Sequence, residues 1–281
     1  MASGKYEFLR ELEREFNEGE SELEWDDVPS GRRRFGRVFG ESEQFTPEPN
    51  APRLVPRVVV HCGGCPNCES VVRTAVFEAI HLANEAADKL EAASALSLEE
   101  RELKKNRDAK ETVRLFRAFF CHDLLKRVPV PGIVLSGLNV ALRLRSVAKE
   151  LAGGRTFIFQ CLPAQADCPG NSPQCCSDDP AREENARSVP ETSTIGLCPR
   201  FFLDLHRPGL PDVDRRAGTI IHESLHLFFA KFVGNIPRGV VDGVVDNDQK
   251  RRANAHCYKA FVLRVNGFGG DPLAVKMCGL C

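Results

Sequence analysis

Residues 215–232 read RRAGTIIHESLHLFFAKF, and this run constrains the fold more than any other part of the chain. Ile220, Ile221, Leu225, Leu227, Phe228 and Phe229 surround two histidines and a glutamate. The run is too long for a strand and too apolar for a solvent-facing helix, so it predicts a buried helix. Polar groups carried into an apolar interior must be paired or must coordinate something. His222 and His226 stand four apart, one helical turn from each other on one face, so both rings reach a single ion. Glu223, next to the first histidine, can take a proton from water that the ion activates and pass it to a leaving amine. The spacing therefore predicts one catalytic Zn2+, with His222 and His226 as ligands and Glu223 as general base.

A catalytic zinc takes a third protein ligand and leaves a position for water. No second HxxGxxH-type histidine follows, and no glutamate occurs after Glu223. Asp242, Asp246, Asp248, His256 and Cys257 remain. An aspartate is favoured, and Asp242 leads on spacing: it lies beyond Gly234-Asn235 and Pro237, which let the chain turn back, with Asp246 as the alternative. Gly243 and the β-branched Val244-Val245 argue against a regular helix there.

The organisation around this run is that of an α+β domain, a helical bundle with a small sheet beside the HESLH helix. A strand is expected at VPRVVVHC, then helices over 69–93, from a Ser97 cap toward Cys121, and over 137–151, ended by Gly153-Gly154. TFIFQCL (156–162) and TIGLC (194–198) read as strands, with a cysteine-bearing loop between them. DQKRRANAHCYKAFVLRV reads as the last helix. Residues 1–57 differ: acidic and aromatic residues alternate, Arg32-Arg33-Arg34 follows, and prolines mark a boundary before a domain over 58–281. This segment holds too few apolar residues for a core and is expected to be a mostly disordered leader, with docking or targeting as the sharper reading.

Twelve cysteines are more than the HESLH chemistry uses. An even, dispersed set reads as a disulfide framework and an oxidising, extracellular destination. No signal peptide is legible at the start, so either export uses another route, or the cysteines remain reduced or bind metal. Cys62, Cys65, Cys68, Cys161, Cys168, Cys198, Cys278 and Cys281 are candidates for disulfides, and the CxxC clusters at 62–68 and 278–281 could instead make a four-thiolate structural zinc. His61, His81, His122 and His206 have no partners in sequence and read as surface or core histidines. A net charge of −1 argues against a nucleic-acid partner, and no apolar run is long enough for a membrane span.

Several segments together resemble one family. HCGGCPNCESVVRTAVFEAIHLANEAADKL, TFIFQC, TIGLCPRFF, GTIIHESLH and RRANAHCYKAF are similar, in this order, to the signature segments of the aspzincin metallopeptidases, which include deuterolysin and the lysine-specific metalloendopeptidases. The resemblance covers most of residues 58–265. It implies a zincin-like fold, one zinc, a polypeptide substrate and endopeptidase activity. It also implies a third ligand from Gly-Thr-x-Asp-x-x-Tyr-Gly, to which Gly239-Val240-Val241-Asp242 corresponds. Val245 and Asp246 stand where that pattern has Tyr and Gly, so an oxyanion donor must come from elsewhere, such as Tyr258 or Arg238. Without such a donor, the alternative is a weak or inactive pseudopeptidase, a binding module that keeps the metal helix. The closing helix contributes substrate-pocket candidates His256, Tyr258 and Lys259. The His256 and Lys259 pair would repel a substrate lysine, so a preference for lysine is not expected.

Overall fold

The computed structural model describes residues 56–61, 67–96, 100, 104–121, 129–130, 133–134, 137–154, 156–164, 176, 185–189, 192–229, 231–233, 236–238 and 254–279. For 129–130, 133–134, 229, 231–233 and 236–238 the description is of the backbone alone. All these residues belong to one unit, Leu54–Cys281. The leader expected over 1–57 lies, apart from Pro56 and Arg57, outside them. The described helices are α1 (Cys68–Ala95), α2 (Arg107–Phe120), α3 (Gly137–Lys149), α4 (Pro199–Phe202), α5 (Asp212–Phe229), α6 (Ala255–Val265) and α7 (Pro272–Cys278). The strands are β1 (Val58–His61), β2 (Pro129–Val130), β3 (Ile133–Val134), β4 (Phe157–Cys161), β5 (Ala186–Val189), β6 (Thr194–Leu197), β7 (Lys231–Val233) and β8 (Ile236–Arg238).

Alanine accounts for the position of α1. Ala75, Ala79, Ala83, Ala86, Ala87 and Ala93 recur at helical spacing and are fully buried with Val72, Val76, Leu82 and Leu90. Alanine is the strongest helix former and keeps the helix surface narrow, so neighbours approach closely. The 28-residue helix, about 42 Å long at 1.5 Å per residue, packs against α2, α3, α5 and α6. Arg145 of α3 reaches across to Asp88 and Glu91. Lys89 donates to Val265 O and Asn266 Oδ1, both at 2.9 Å, satisfying acceptors at the C-terminal end of α6.

Four strands form one mixed sheet in the order β1-β4-β6-β5, with β1, β4 and β6 parallel and β5 antiparallel on the edge. β6 is buried along its whole length, as a central strand covered on both faces must be. Phe157 and Phe159 of β4 are fully buried, and the Phe157 ring meets Phe228 of α5 at 5.4 Å, joining the sheet to α5. β5 also packs beside α5. β2 pairs with β3, and β7 with β8, as short antiparallel ribbons. No described helix is long and apolar enough to cross a membrane.

The α+β architecture agrees with the sequence reading, as do α1, α3, β4 and β6; four features differ. The buried helix runs Asp212–Phe229, starting earlier than expected, and Lys231–Val233 is strand rather than helix. β5 lies inside the stretch expected to be loop, because its ARSV sequence lacks the apolar alternation that marks a strand. The helix expected from Ser97 shows, in its described part, a 3-10 turn at Lys104–Asn106 before α2. Finally, α7 follows α6: Asp271 caps it by accepting from Leu273 N, with Pro272 at the first helical position. α3 unwinds into a wide turn at Glu150–Gly154, where Gly153 holds φ 133, a value open to glycine alone.

Disulfides Cys176–Cys198 and Cys257–Cys278 close loops of 22 and 21 residues, each worth about 3 kcal/mol by loop-closure entropy. Cys68 and Cys121 are also disulfide-bonded. Cys68 Sγ lies 3.2 Å from Cys161 Sγ. Cys62, Cys65, Cys168 and Cys281 lie outside the described residues. With Cys68 and Cys278 in disulfides, neither supplies a thiolate to the structural zinc weighed for the two CxxC clusters.

On the first turn of α5, Asp214 is buried against Glu78 of α1. Burial, then the charge of Glu78 and a hydrogen bond shared between the two carboxyls, pushes Asp214 up from 3.8 to about 6. A raised folded-state value means the protonated form is the one folding favours. The contribution is complete below pH 3.8 and is lost as pH rises through about 6. Asp214→Asn keeps the hydrogen bond without the charge. Its melting temperature relative to wild type should therefore rise between pH 4 and pH 7, read by thermal unfolding across that range. A difference that does not change with pH would refute the shared proton.

Candidate metal centre

The N-terminal half of α5 is anchored before the histidines are reached. Arg215, fully buried, donates to Phe201 O, Leu203 O and Asn185 Oδ1 and pairs with Asp212 at 3.0 Å. Arg216 adds bonds to Phe201 O and Asp204. Burial alone would raise Asp212, but the Leu205 amide and Arg215 hold its carboxyl below the usual range. Ile220, Ile221 and Leu225 are completely buried, each contributing about 1.5–3 kcal/mol, and they fix the rotation of the helix about its axis.

That rotation brings the two imidazoles together. His222 Nε2 and His226 Nε2 lie 3.2 Å apart, with ring centroids 4.8 Å apart and planes at 81°. Two nitrogens bound to one zinc at 2.0–2.1 Å with a tetrahedral angle stand about 3.3 Å apart, so the spacing of the pair matches that of two zinc-bound nitrogens. The Glu223 carboxylate lies 3.8 Å from His222 Nε2. His222 and Glu223 are each only 6% exposed, so the groups converge in a nearly dry wall.

α6 packs against α5 antiparallel, as three contacts in reverse order show. His222 meets His256 with ring centroids 4.4 Å apart, Thr219 accepts from Lys259 Nζ at 3.1 Å, and Gly218 faces Leu263. A Cβ at Gly218 would stand 3.2 Å from Leu263 Cδ1, so the glycine sets how closely the helices approach. Lys259 is 5% exposed and its ammonium pairs with Asp271 at 2.7 Å. Arg207 adds a second cation to the same carboxylate. Burial alone would raise Asp271, but Lys259 and then Arg207 hold it far below the ordinary carboxylate range.

The candidate residues thus divide. His222, Glu223, His226 and His256 come together. Cys257 is removed as a ligand by its disulfide with Cys278. Tyr258 lies two residues, or about 200° of helix, from His256. Its hydroxyl accepts from Arg143 Nη1 at 3.0 Å and its ring packs on Phe120, so it does not face the histidine pair. Burial raises its pKa, which keeps it a neutral core hydroxyl. Asp242, Asp246 and Asp248 lie outside the described residues, and Arg238 is described by backbone only. Among the described residues, no group of three or more His, Cys, Asp or Glu side chains is arranged to hold a metal. His61, His81 and His206 are exposed, and His81 pairs with Glu85 at 3.5 Å.

Thr219, Arg207 and Asp271 escaped the sequence reading. Asp271-Pro272 carried a helix-start signal, but nothing local reveals that its carboxylate also meets Lys259, 12 residues earlier. No protein-family model matches the chain, and no curated protein matches it in sequence.

Removing one partner of a buried ion pair leaves the other charge uncompensated, at a cost of about 3–5 kcal/mol. Asp271→Ala should lose stability on that scale in urea unfolding at pH 7, since it strands Lys259 and also deletes the α7 cap. Asp271 is held below its ordinary value, so its contribution is present at neutral pH and fades as pH falls below the usual carboxylate range. A loss under 1 kcal/mol, within the range of exposed pairs, would show that the cluster is solvated.

Proposed function

We propose that this chain is a zinc-dependent endopeptidase of the aspzincin type, with a zincin-like fold in which α5 and α6 carry the site. The observation that carries the reading is the convergence of His222 Nε2 and His226 Nε2 at 3.2 Å beside a buried Glu223 carboxylate. His222 and His226 hold the zinc, and Asp242 is the third ligand, with Asp246 the alternative. Zinc at this position supplies Lewis acidity, making water nucleophilic at neutral pH and polarising a peptide carbonyl. Glu223 accepts a proton from the attacking water at a carboxylate oxygen and delivers it to the leaving nitrogen. The buried setting of His222 and Glu223 excludes bulk water, which strengthens each of these interactions. The substrate is a polypeptide. The Lys259 ammonium is committed to Asp271, so the basic pair expected to repel a substrate lysine loses that cation.

A second reading, a pseudopeptidase that binds metal and polypeptide with little turnover, is favoured by the placement of Tyr258. The chain has two tyrosines, Tyr6 and Tyr258, and the second is locked to Arg143 in the core. An oxyanion donor is worth about 10²–10³ in turnover, so its loss would leave a slow enzyme.

Two variants separate these readings. His222→Ala should lose the bound zinc measured by metal analysis after dialysis, since the remaining ligands hold it weakly. Glu223→Gln should retain zinc and fold and cleave casein about 10²–10⁴-fold more slowly, because the amide cannot accept the proton. Zinc in wild type without Glu223-dependent cleavage supports the pseudopeptidase. Zinc retained equally by His222→Ala would reject the metal assignment itself.

A further inference from the structure

Three tethers converge on the first turn of α6, and each runs to residues 271–278. Asn254, fully buried, accepts from the His256 amide through Oδ1 at 2.9 Å and donates through Nδ2 to Met277 O at 3.0 Å. Cys257 is bonded to Cys278, and Lys259 is paired with Asp271. His256 stands among these tethers, and its ring is tilted 51° against the His222 ring at 4.4 Å. An imidazole on a helix still has its side-chain torsions to choose. The direction of its nitrogen is set by what packs on the ring and by what binds the other nitrogen.

We infer that His256 is a positioning residue for His222: by contact of the rings, not by ligation, it holds the imidazole where its Nε2 meets that of His226. This rests on the reading of His222 and His226 as a zinc pair. Contact is the role assigned because the His256 ring lies directly against the His222 ring, centroid to centroid at 4.4 Å. Neither the HESLH motif nor the spacing of candidate third ligands requires such a residue. The anchoring gives the contact its force: the Asn254 cap, the disulfide and the ion pair hold the backbone at 254–259 against 271–278. The ring at 256 therefore presses on His222 from a fixed base.

Zinc affinity measured by competition with a chromogenic chelator, on the full-length oxidised protein, tests this with His256→Ala and His256→Phe. His256→Ala should weaken zinc binding by about 10- to 100-fold, the range seen when support for a ligand histidine is removed. The visible absorption of its cobalt-substituted form should shift, reporting altered ligand geometry. The metal-free unfolding midpoint should stay at the wild-type value. His256→Phe restores a ring without nitrogens and should return both affinity and cobalt spectrum close to wild type. Wild-type affinity in His256→Ala overturns the inference while leaving the zinc pair intact. Equal weakening in Ala and Phe variants also overturns it, because the imidazole nitrogens would then be the working part. Failure of the wild type to bind zinc removes the metal reading, and the inference with it.

Discussion

The ammonium of Lys259, buried between α5 and α6, is the charge on which the arrangement around the histidines depends. An isolated ammonium at that depth costs several kcal/mol, so the chain must bring a carboxylate to it. Asp271 arrives from beyond α6, receives Arg207 as a second cation, and caps α7. The same ammonium also donates to Thr219, one turn before His222. The ion pair therefore fixes the sliding register of α6 on α5, and Gly218 against Leu263 fixes their separation. Given register and separation, the residue opposite His222 has to be His256.

The rest of the molecule supports that helix pair from two sides. On one, Arg215 and Arg216 use guanidinium donors to bind the carbonyls of 201–203, tying α5 to the chain that leaves β6. On the other, Tyr258, Phe261, Phe116 and Phe120 form an aromatic cluster between α6 and α2, with ring contacts of 5.0–6.3 Å. Such aromatic pairs add about 0.5–1.5 kcal/mol each beyond burial. The same cluster explains why Tyr258 is unavailable to the site. Position 258 faces the core whenever 256 faces α5, because the helix turns about 100° per residue.

Much of the fold was legible because its signals are local. The alanine spacing of α1, the β-branched and aromatic run of β4, and the apolar flanks of HESLH each declare an element within a dozen residues. Two histidines four apart declare a shared face in the same way. What was not legible has no local signature. β5 is polar and four residues long, and it is a strand because β6 offers it an edge. Lys259 read as a second basic group facing substrate, since its partner Asp271 lies across a turn, at the cap of another helix. The CxxC spacing left disulfides and a thiolate cage both open, and Cys278 bonds to Cys257, a choice made by helix packing.

By itself, then, the sequence determined that a buried helix would present His222, Glu223 and His226 together, because helical periodicity is a property of the covalent chain. It also determined that the domain would mix helices with a small sheet. Only the tertiary structure decided which groups surround that helix: His256 against His222, Lys259 turned to Asp271, and Tyr258 turned to Arg143. The reason is physical. A periodic pattern fixes directions within one element, but the charge partners and ring contacts of that element are fixed by how separate helices satisfy each other's buried charges and volumes.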